Sequence, residues 1–403
     1  MSLLRLDTFV SGTRVGGLER DRDGRVWFQP DRTWLAEGGL PSLGVAFERD
    51  RSPRRAGTGL PVWFEHLLPA SGGPLRRRIC SAHALRETDG AGLLKVLGRD
   101  LPGAIEILGD AHEPVWEPDA PLDLKIGFSL PGMQLKFSLA EAGHRFTLPA
   151  RGVEGAWIVK LPSEDRPDLP LVEHVTMRWA QAAGFPVPDT RVVPTSDIDG
   201  LGDRLVERIP SALAIRRFDR RPDRRRVHQE DFAQALEIGP DHIYGNTGGE
   251  RVSNDGLLRL VRDAAGEDAA EQFVRRLAFT VASGNTDAHL KNWSFQWMDG
   301  LRPRLSPLYD QVATVTWAPY GWQGEARPTL ALAIGRCRSL EDLTAKHVSS
   351  FADRGGVPAA IPWFDDALRR SRDAWEVVSP SAPEPMARAI QEHWQKVPLL
   401  RRL

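Results

Sequence analysis

The sequence predicts an α+β protein in which a strand-rich N-terminal unit precedes a small β-rich lobe and a larger, mostly helical lobe. Three observations predict this class. Turn-separated β-rich segments open the chain, a few strands with one helix follow, and helical periodicity prevails beyond about residue 219. A chain of 403 residues is long enough for two or three cores. We therefore predict domains at residues 1–118, 119–216 and 217–403.

The N-terminal unit is predicted from strands and turns at its start and from helices later. Residues 10–17 and 25–28 flank a turn, while residues 61–68 and 91–97 have helical character and end near a proline and a glycine. Residues 112–122 are rich in proline and acidic side chains and are interpreted as a linker to the next domain.

The small lobe is predicted from strand-like segments around one helix. Pro162 ends a buried strand, and Pro170 begins the helix at a position where its missing N–H costs little. Gly184, followed closely by Pro186, ends that helix. The predicted strands are residues 135–139, 144–148, 156–161, 191–193, 204–207 and 213–215.

The helical lobe is predicted from apolar residues at helical spacing. Phe273, Leu277 and Val281 share one helical face, and Gly284 stands where a C-terminal cap is expected. The predicted helices are residues 229–236, 255–264, 268–283, 364–375 and 386–394.

Composition limits the classes of function. The chain is 41% hydrophobic and 27% charged with a net charge of −1, so no global charge attracts nucleic acid or membranes. We expect a cytoplasmic protein with no membrane contact. The chain has only two cysteines, which favours a reducing compartment, and its start does not resemble a signal peptide. It also has no run of about 18 apolar residues that would suggest a membrane span. Short arginine runs are interpreted mainly as solvated surface. They are residues 76–78, 216–217, 220–221 and 224–226.

A predicted hairpin gathers the most informative polar residues. Residues 293–297 alternate as a half-buried strand, and the Asp-Gly pair at 299–300 is a strong turn signal before a return over residues 301–305. Because a hairpin brings its ends together, we expect Asn292 and Asp310 to be neighbours. Asp287 lies in the loop leading in.

Two carboxylates and a carboxamide at one place suit a divalent cation and a proton acceptor, which kinase-type phosphoryl transfer requires. Asp287 would accept the hydroxyl proton, and Asn292 and Asp310 would bind Mg²⁺. The alternative for Asp287 is a turn-capping role. His289 is interpreted as structural, and Lys291 either neutralises phosphate charge or lies on the surface.

A lysine and a turn extend this hypothesis. Lys160 ends a buried strand, where it could reach to water or pair with phosphate oxygens, and Glu173 on the next helix is a candidate to hold it. The turn at residues 129–134 lacks the ending of a Walker loop, but its N–H groups could bind phosphates; the alternative is a plain hairpin corner. Ser129 would lie near the γ-phosphate as a phosphorylation target.

Taken together and in order, these segments resemble the HipA serine/threonine kinases, the toxins of bacterial HipBA-type toxin–antitoxin modules. The matching segments cover most of the chain. They are residues 63–69, 97–104, 129–136, 157–162, 217–220, 228–234, 285–292 and 306–310.

The resemblance implies an atypical protein-kinase-like fold with two lobes and an N-terminal subdomain, and ATP and Mg²⁺ as cofactors. It implies Asp287 as the catalytic residue, Asn292 and Asp310 as metal ligands, and supporting roles for Glu173 and His289. It implies autophosphorylation of Ser129 as an inactivating step. The ATP-binding residues that it implies are Leu130, Pro131, Gly132, Met133, Gln134, Lys160, Arg216, Phe218 and Lys291.

The resemblance also implies a biological role. Family members phosphorylate a protein, in known cases an aminoacyl-tRNA synthetase, and so arrest growth; their partner is a helix-turn-helix antitoxin of HipB type, through which DNA is contacted indirectly. The sequence departs from the family pattern at Met133, Leu135 and Arg216, which replace a small residue, a more polar residue and a glutamate. Two other functions stay open, a largely non-catalytic co-repressor and a small-molecule phosphotransferase.

Overall fold

The structure combines antiparallel sheets with helices, and most of the long helices lie in the C-terminal part of the chain. A computed structural model describes residues 4–56, 59–109, 135–143, 145–147, 155–162, 165–247, 250–317 and 327–402. Within these ranges one sheet forms a small lobe and most long helices lie beyond residue 250, which confirms the predicted α+β class with a two-lobed kinase-like arrangement. Over the same ranges, no helix combines the length and the apolar character needed to cross a membrane.

The N-terminal unit is a five-stranded antiparallel sheet with short helices packed against it. Its strands are β1 Leu4–Val10, β2 Thr13–Arg20, β3 Val26–Pro30, β4 Arg54–Arg55 and β5 Ile105–Leu108. Its helices are α1 Arg32–Ala36, α2 Val45–Arg49, α3 Val62–Glu65, α4 Pro74–Ala82 and α5 Gly90–Leu97. The strand order is β4-β3-β2-β1-β5. Phe28, Phe47, Trp63 and Phe64 form a fully buried aromatic cluster between sheet and helices, with neighbouring ring centroids 4.9 to 5.7 Å apart.

The small lobe is a second antiparallel sheet, in the order β7-β6-β8-β10-β9. Its strands are β6 Leu135–Ala142, β7 Arg145–Thr147, β8 Trp157–Leu161, β9 Thr190–Pro194 and β10 Ser211–Arg216, and its helices are α6 Leu169–Ala182 and α7 Asp203–Arg208. The predicted strand at residues 204–207 is wrong, because that segment is α7. Ile209 N donates to Leu205 O at 2.9 Å, which is the i→i−4 hydrogen bond of a helix and not a pairing between strands.

The helical lobe surrounds a three-stranded sheet in the order β11-β14-β15. Its strands are β11 His228–Asp231, β12 Asn246–Thr247, β13 Glu250–Arg251, β14 Ser294–Trp297, β15 Arg304–Leu305, β16 Thr329–Ile334 and β17 Cys337–Ser339. Its helices are α8 Phe232–Ala235, α9 Asn254–Ala265, α10 Glu267–Ala282, α11 Ala345–Gly355, α12 Ala360–Val378 and α13 Glu384–Lys396. The helix predicted at residues 229–236 is only partly right. Its first half pairs with β14 as a strand, and a capping box between Asp231 and Gln234 starts the helix later.

Helix α6 belongs to the small lobe by sequence but is anchored in the helical lobe. Trp179 packs against Phe279 and Trp375, with ring centroids 5.2 and 4.6 Å away, and its indole N–H donates to Ser371 O at 2.6 Å. One turn earlier, Thr176 Oγ1 accepts a hydrogen bond from Ala313 N at 3.1 Å. These contacts fix the helix that carries Glu173 relative to the loops of the helical lobe.

A buried polar cluster joins the N-terminal unit to the chain that leaves the small lobe. Arg217 and Arg220 donate to Asp100 and Asp219 at 2.8 to 3.0 Å, and Gly103 N donates to Asp219 Oδ2 at 2.8 Å. We call Asp100, Arg217, Asp219 and Arg220 the arginine network. The interpretation of arginine runs as solvated surface is therefore wrong for Arg217 and Arg220, which are 7% and 8% exposed. One partner, Asp219, lies between the two arginines in the sequence, whereas Asp100 lies 117 and 120 residues away.

Candidate active site

The ammonium of Lys160 lies buried between two carboxylates from different parts of the chain. Nζ is 2.5 Å from Glu173 Oε1 on α6 and 2.6 Å from Asp310 Oδ1. We call these three residues the lysine triad. Burial alone lowers the pKa of Lys160, but the charges of Asp310 and Glu173 more than offset this and hold the pKa above its usual range. Lys160 is thus a permanent cation, and at 3% exposure it does not reach bulk water.

Asp310 carries the exposed edge of the lysine triad. Its side chain is 21% exposed, against 1% for the Glu173 side chain, so the triad opens to solvent on the Asp310 side. The backbone of Asp310 has φ of 56°, a left-handed conformation that few residues other than glycine adopt. Such strain persists only where surrounding contacts enforce it, and it is concentrated at functional sites. The carboxylate is therefore held in place by its backbone as well as by Lys160.

The loop after α10 holds Asp287 through the polypeptide around it. Asn285 Oδ1 accepts from Asp287 N at 2.9 Å, and Asn285 Nδ2 donates to Gln311 Oε1 at 3.1 Å, so the loop is tied to the residue after Asp310. Gly284 ends the helix with φ of 63°, and a side chain there would collide with Val315. The glycine at the predicted cap thus also lets the end of α10 approach the segment around Val315 closely.

Asp287 is half-buried, and its carbonyl and carboxylate oxygens accept several hydrogen bonds. Its backbone carbonyl accepts from Asn292 Nδ2 at 2.8 Å and from His289 N at 2.7 Å. Its carboxylate Oδ1 accepts from the Tyr244 hydroxyl at 2.7 Å. The hydrogen bond from Asn292 Nδ2 positions this predicted metal ligand against the predicted catalytic residue.

The predicted hairpin is present, although its second strand, β15, is shorter than expected. The hairpin brings its ends together: Tyr309, beside Asp310, donates through its hydroxyl to Lys291 O at 2.7 Å, and that hydroxyl lies 2.5 Å from Ser294 Oγ. Lys291 and Asp310 are therefore joined through one intervening side chain. The structure brings Asp287, Asn292 and the lysine triad to the junction of the two lobes; their chemical roles stay predictions.

The predicted supporting residues have contacts of several kinds. Lys291 pairs with Asp231 Oδ2 at 2.5 Å and lies 3.2 Å from His66 Nδ1 of the N-terminal unit. The His289 ring packs edge-on against Tyr244, with centroids 5.1 Å apart. Both residues thus have structural contacts, and an ATP contact by Lys291 stays a prediction.

The predicted nucleotide-binding residues are only partly covered by the structure. Phe218 packs 5.5 Å from the Tyr309 ring, close to the lysine triad. The Arg216 guanidinium lies over Trp157, 5.8 Å from its ring centre, and Arg216 N donates to Asp189 O at 2.9 Å. The predicted phosphate-binding residues and the phosphorylation site lie outside the described residues. They are Ser129, Leu130, Pro131, Gly132, Met133 and Gln134.

Sequence reasoning missed Tyr244, which directly contacts the predicted catalytic carboxylate. Tyr244 lies in an irregular segment, 43 residues before Asp287, and no periodicity or motif marks it. Gly245, with φ of 82°, is a local signal for a tight backbone, since a side chain there would collide with Val252 O. That signal indicates a constrained turn but not its partner.

A small lobe with a strand lysine paired to a helix glutamate, set against a helical lobe with Asp287 and Asn292 in one loop, defines a two-lobed kinase-like protein. The sequence comparisons specify it further. Residues 6–108 match the family model for the HipA N-terminal domain, and residues 128–380 match the model for the HipA-like C-terminal domain. The chain belongs to the HipA family.

Individual relatives agree with this assignment. The inferred kinase Y4dM of Sinorhizobium fredii strain NGR234 is 32% identical over 418 residues and covers 98% of each chain. The serine/threonine-protein kinase toxin HipA of Shewanella oneidensis MR-1 is 28% identical over 302 residues, covering 66% of this chain and 65% of the toxin. A solved complex of HipA, HipB and operator DNA from that organism contains a chain with a TM-score of 0.74 at 23% identity, covering 98% of this chain and 96% of that one. The solved structure shares the fold.

Proposed function

We propose that the chain is an ATP- and Mg²⁺-dependent serine/threonine protein kinase that acts as the toxin of a type II toxin–antitoxin system. The observation that carries the proposal is the lysine triad. A buried lysine held by a helix glutamate and by an aspartate from the other lobe is the arrangement that positions nucleotide phosphates next to a metal ligand in kinases. The kinase names of the relatives support the same class.

The donor set at the junction fits Mg²⁺. Asn292 donates its Nδ2 to Asp287 O, which leaves its carbonyl oxygen as a ligand, and Asp310 supplies a carboxylate. Mg²⁺ takes few protein oxygens and completes its octahedron with phosphate oxygens and water. When bound, the ion would neutralise charge on the β- and γ-phosphates. Lys160 would hold phosphate oxygens, and its raised pKa keeps it charged at every physiological pH.

Asp287 would orient the acceptor hydroxyl and take its proton. The hydrogen bond from Tyr244 fixes one carboxylate oxygen, and the backbone contacts from Asn292 and His289 fix the loop. A carboxylate placed in this way supplies positioning and proton acceptance, each of which depends on its ionised form.

Replacing Asp287 tests the proposal most directly. We expect Asp287→Asn to lower transfer from labelled ATP to protein by roughly 10²–10⁴-fold and to abolish growth arrest, because the amide cannot accept the proton. Asp263→Asn, at an exposed aspartate paired only locally with Arg262 among the described contacts, is the matched control and should behave as wild type. Undiminished arrest by the Asp287 variant would favour the co-repressor function. A labelled metabolite without a labelled protein would favour a small-molecule phosphotransferase.

We propose the family's wider biology for this chain as well. The substrate would be a protein of translation, of the aminoacyl-tRNA synthetase class, and autophosphorylation of Ser129 would inactivate the kinase. A helix-turn-helix antitoxin of HipB type would be the partner and would provide the only link to DNA; the solved relative is named as a complex with HipB and operator DNA. Phosphoproteomics after induction, with Asp287→Asn as the reference, would identify the substrate and test Ser129.

A further inference from the structure

A cavity of about 260 Å³ lies beside the catalytic loop, within the helical lobe. Residues 244–246 form one wall, the start of α9 forms a second, and the hairpin of β16 and β17 forms a third. Arg354, at the end of α11, closes the fourth side. The volume accommodates one polar side chain of a ligand and not a whole nucleotide.

Tyr244 connects this cavity to the reaction centre. The residue lines the cavity, and its hydroxyl donates to Asp287 Oδ1 at 2.7 Å. The cavity is therefore separated from the predicted proton acceptor by a single side chain. A polypeptide that presents a hydroxyl to Asp287 advances about 3.3 Å per residue when extended. A side chain roughly two to four residues from the acceptor would reach the cavity.

The cavity wall is positively charged. Arg336, Arg338 and Arg354 line it, against a single acidic side chain, Asp255, within the described lining. Asp255 is 1% exposed and already engaged, since its Oδ1 accepts from Gly335 N at 3.0 Å and its Oδ2 lies 3.3 Å from Arg354 Nε. Two positive charges therefore remain after Asp255 is paired with Arg354.

Of the two remaining arginines, Arg338 is bound and Arg336 is available. Arg338 donates to Leu330 O and Ala331 O at 2.9 Å, which orients its guanidinium along its own hairpin. Arg336 is exposed and, among the residues that the structure describes, makes no hydrogen bond or ion pair. A guanidinium of this kind is suited to a bidentate contact with a carboxylate or phosphate.

The backbone at Arg336 gives an independent reason to assign it a role. Gly335 and Arg336 form the two-residue turn between β16 and β17, with φ of 53° and 72°. Such turns favour glycine or asparagine at these positions, and an arginine in the left-handed region costs on the order of 1 kcal/mol. The turn packs closely against the backbone of His347, because a side chain at Gly335 would collide with His347 O. The sequence thus keeps, at the cavity edge, a strained arginine that pairs with no other described residue.

We propose that this cavity is a substrate-recognition subsite for an anionic group, a carboxylate or a phosphate, that the protein substrate carries a few residues from the phosphorylated serine or threonine. The inference rests on the proposed kinase function and adds a substrate class to it. Arg336 is the specificity-determining residue, Arg338 contributes its charge, and Ser253 at the N-terminus of α9 lies on the same wall. No residue of the lysine triad takes part.

The test uses the full-length protein and a library of serine and threonine peptides with alanine, glutamate or phosphoserine at each flanking position. We expect wild type to prefer one acidic position by roughly five- to tenfold in kcat/KM. Arg336→Gln should remove the preference and Arg336→Glu should reverse it, while kcat/KM for all-alanine flanks stays unchanged. Arg388→Gln, at an exposed arginine of α13, is the matched control. The glutamate and phosphoserine arms distinguish the two sources of negative charge.

Two results would overturn the inference while leaving the kinase proposal intact. One is a wild type that phosphorylates the library without any acidic preference; the other is a preference that persists in Arg336→Glu. If no peptide is accepted, labelling of protein in lysate decides, because Arg336→Glu should lose substrate labelling at least fivefold while autophosphorylation continues. Equal labelling would refute the subsite. A failure of the kinase proposal differs from all of these, since wild type would then label no protein at all.

Discussion

The lysine triad and the arginine network are both buried clusters of charge that join distant parts of the chain, yet they combine their charges differently. Among the described residues, the network sets two arginines against two aspartates, and each aspartate pairs with both arginines. In the triad, over the same described residues, a single lysine pairs with two carboxylates from different parts of the chain. One ammonium shared by two carboxylates is the feature that distinguishes the triad from the network.

The electrostatics of individual residues support the same distinction. Burial would raise the pKa of Asp219, but Arg217 and Arg220 hold it below its usual range, so the aspartate is ionised and satisfied. Gly103 N adds a further donor to Asp219. In the triad, the more exposed carboxylate belongs to Asp310, the residue with a strained backbone.

The largest effect is expected from removing the cation of the triad. Lys160→Met should remove the cation that pairs with buried Glu173, at a cost of about 3–5 kcal/mol in the free energy of unfolding, and should abolish phosphoryl transfer. Urea unfolding and ATP labelling measure the two effects. The double variant Lys160→Met with Glu173→Met should regain most of the stability and none of the activity. Recovery of activity in the double variant would show that the triad only supports the fold.

A smaller effect, on stability alone, is expected from the network. Asp219→Asn should leave two buried arginines facing one carboxylate and cost about 2–4 kcal/mol, because Asp100 is partly exposed and water can relieve some of the imbalance. Turnover by the folded variant should stay within about threefold of wild type. Asp223→Asn, at an exposed aspartate in the following turn, is the control and should change little. A loss of turnover in folded Asp219→Asn would contradict the separation between the two clusters.

The smallest effect concerns a third buried charge, Glu230, which accepts from Trp63 Nε1 at 2.7 Å and Val45 N at 2.8 Å. Burial raises its pKa to about 8 in spite of these two donors. The folded state therefore keeps the proton up to about pH 8, whereas the unfolded chain loses it near 4.5. Stability from this group is complete below about pH 4.5 and is lost as the pH rises through 8.

Glu230→Gln should remove that pH dependence. The amide can accept only one of the two N–H groups, so the variant should lose about 1 kcal/mol at pH 5. Because wild type loses stability as the pH rises to 8, the difference should shrink and then change sign, leaving the variant the more stable protein at pH 8. Unfolding free energies at pH 5, 6.5 and 8 measure this, since all other titrating groups are common to both proteins. If the unfolding free energies of the two proteins change with pH in parallel, Glu230 does not titrate in this range.

Local patterns in the sequence were enough to predict the elements that carry several candidate site residues. The strand ending in Lys160, the helix with Glu173 and the hairpin before Asp310 each depend on periodicity, proline or an Asp-Gly turn, which act over a few residues. The helix α7 and the strand β11 were missed because they are short, so tertiary packing outweighs their local preference.

Long-range pairing could not be predicted from the sequence for a physical reason. Arg217 and Asp100 are separated by 117 residues, and Tyr244 and Asp287 by 43, so nothing in either segment indicates its partner. Asp219 stands next to both arginines in the sequence, but an exposed aspartate between arginines would look the same; the burial of the group and its pairing with Asp100 come from the fold. The contacts that distinguish the arginine network from a solvated run therefore appear only in three dimensions.

Lys291 links the N-terminal unit to the predicted active site through direct contacts. Its ammonium is bound to Asp231 and to His66 of that unit, while its carbonyl is held by Tyr309, the neighbour of Asp310. A displacement of the N-terminal unit would be transmitted through Lys291 to the backbone next to Asn292 and Asp310, the two predicted metal ligands. A protein that binds the N-terminal unit could thereby change the geometry of the predicted active site without entering the cleft between the lobes.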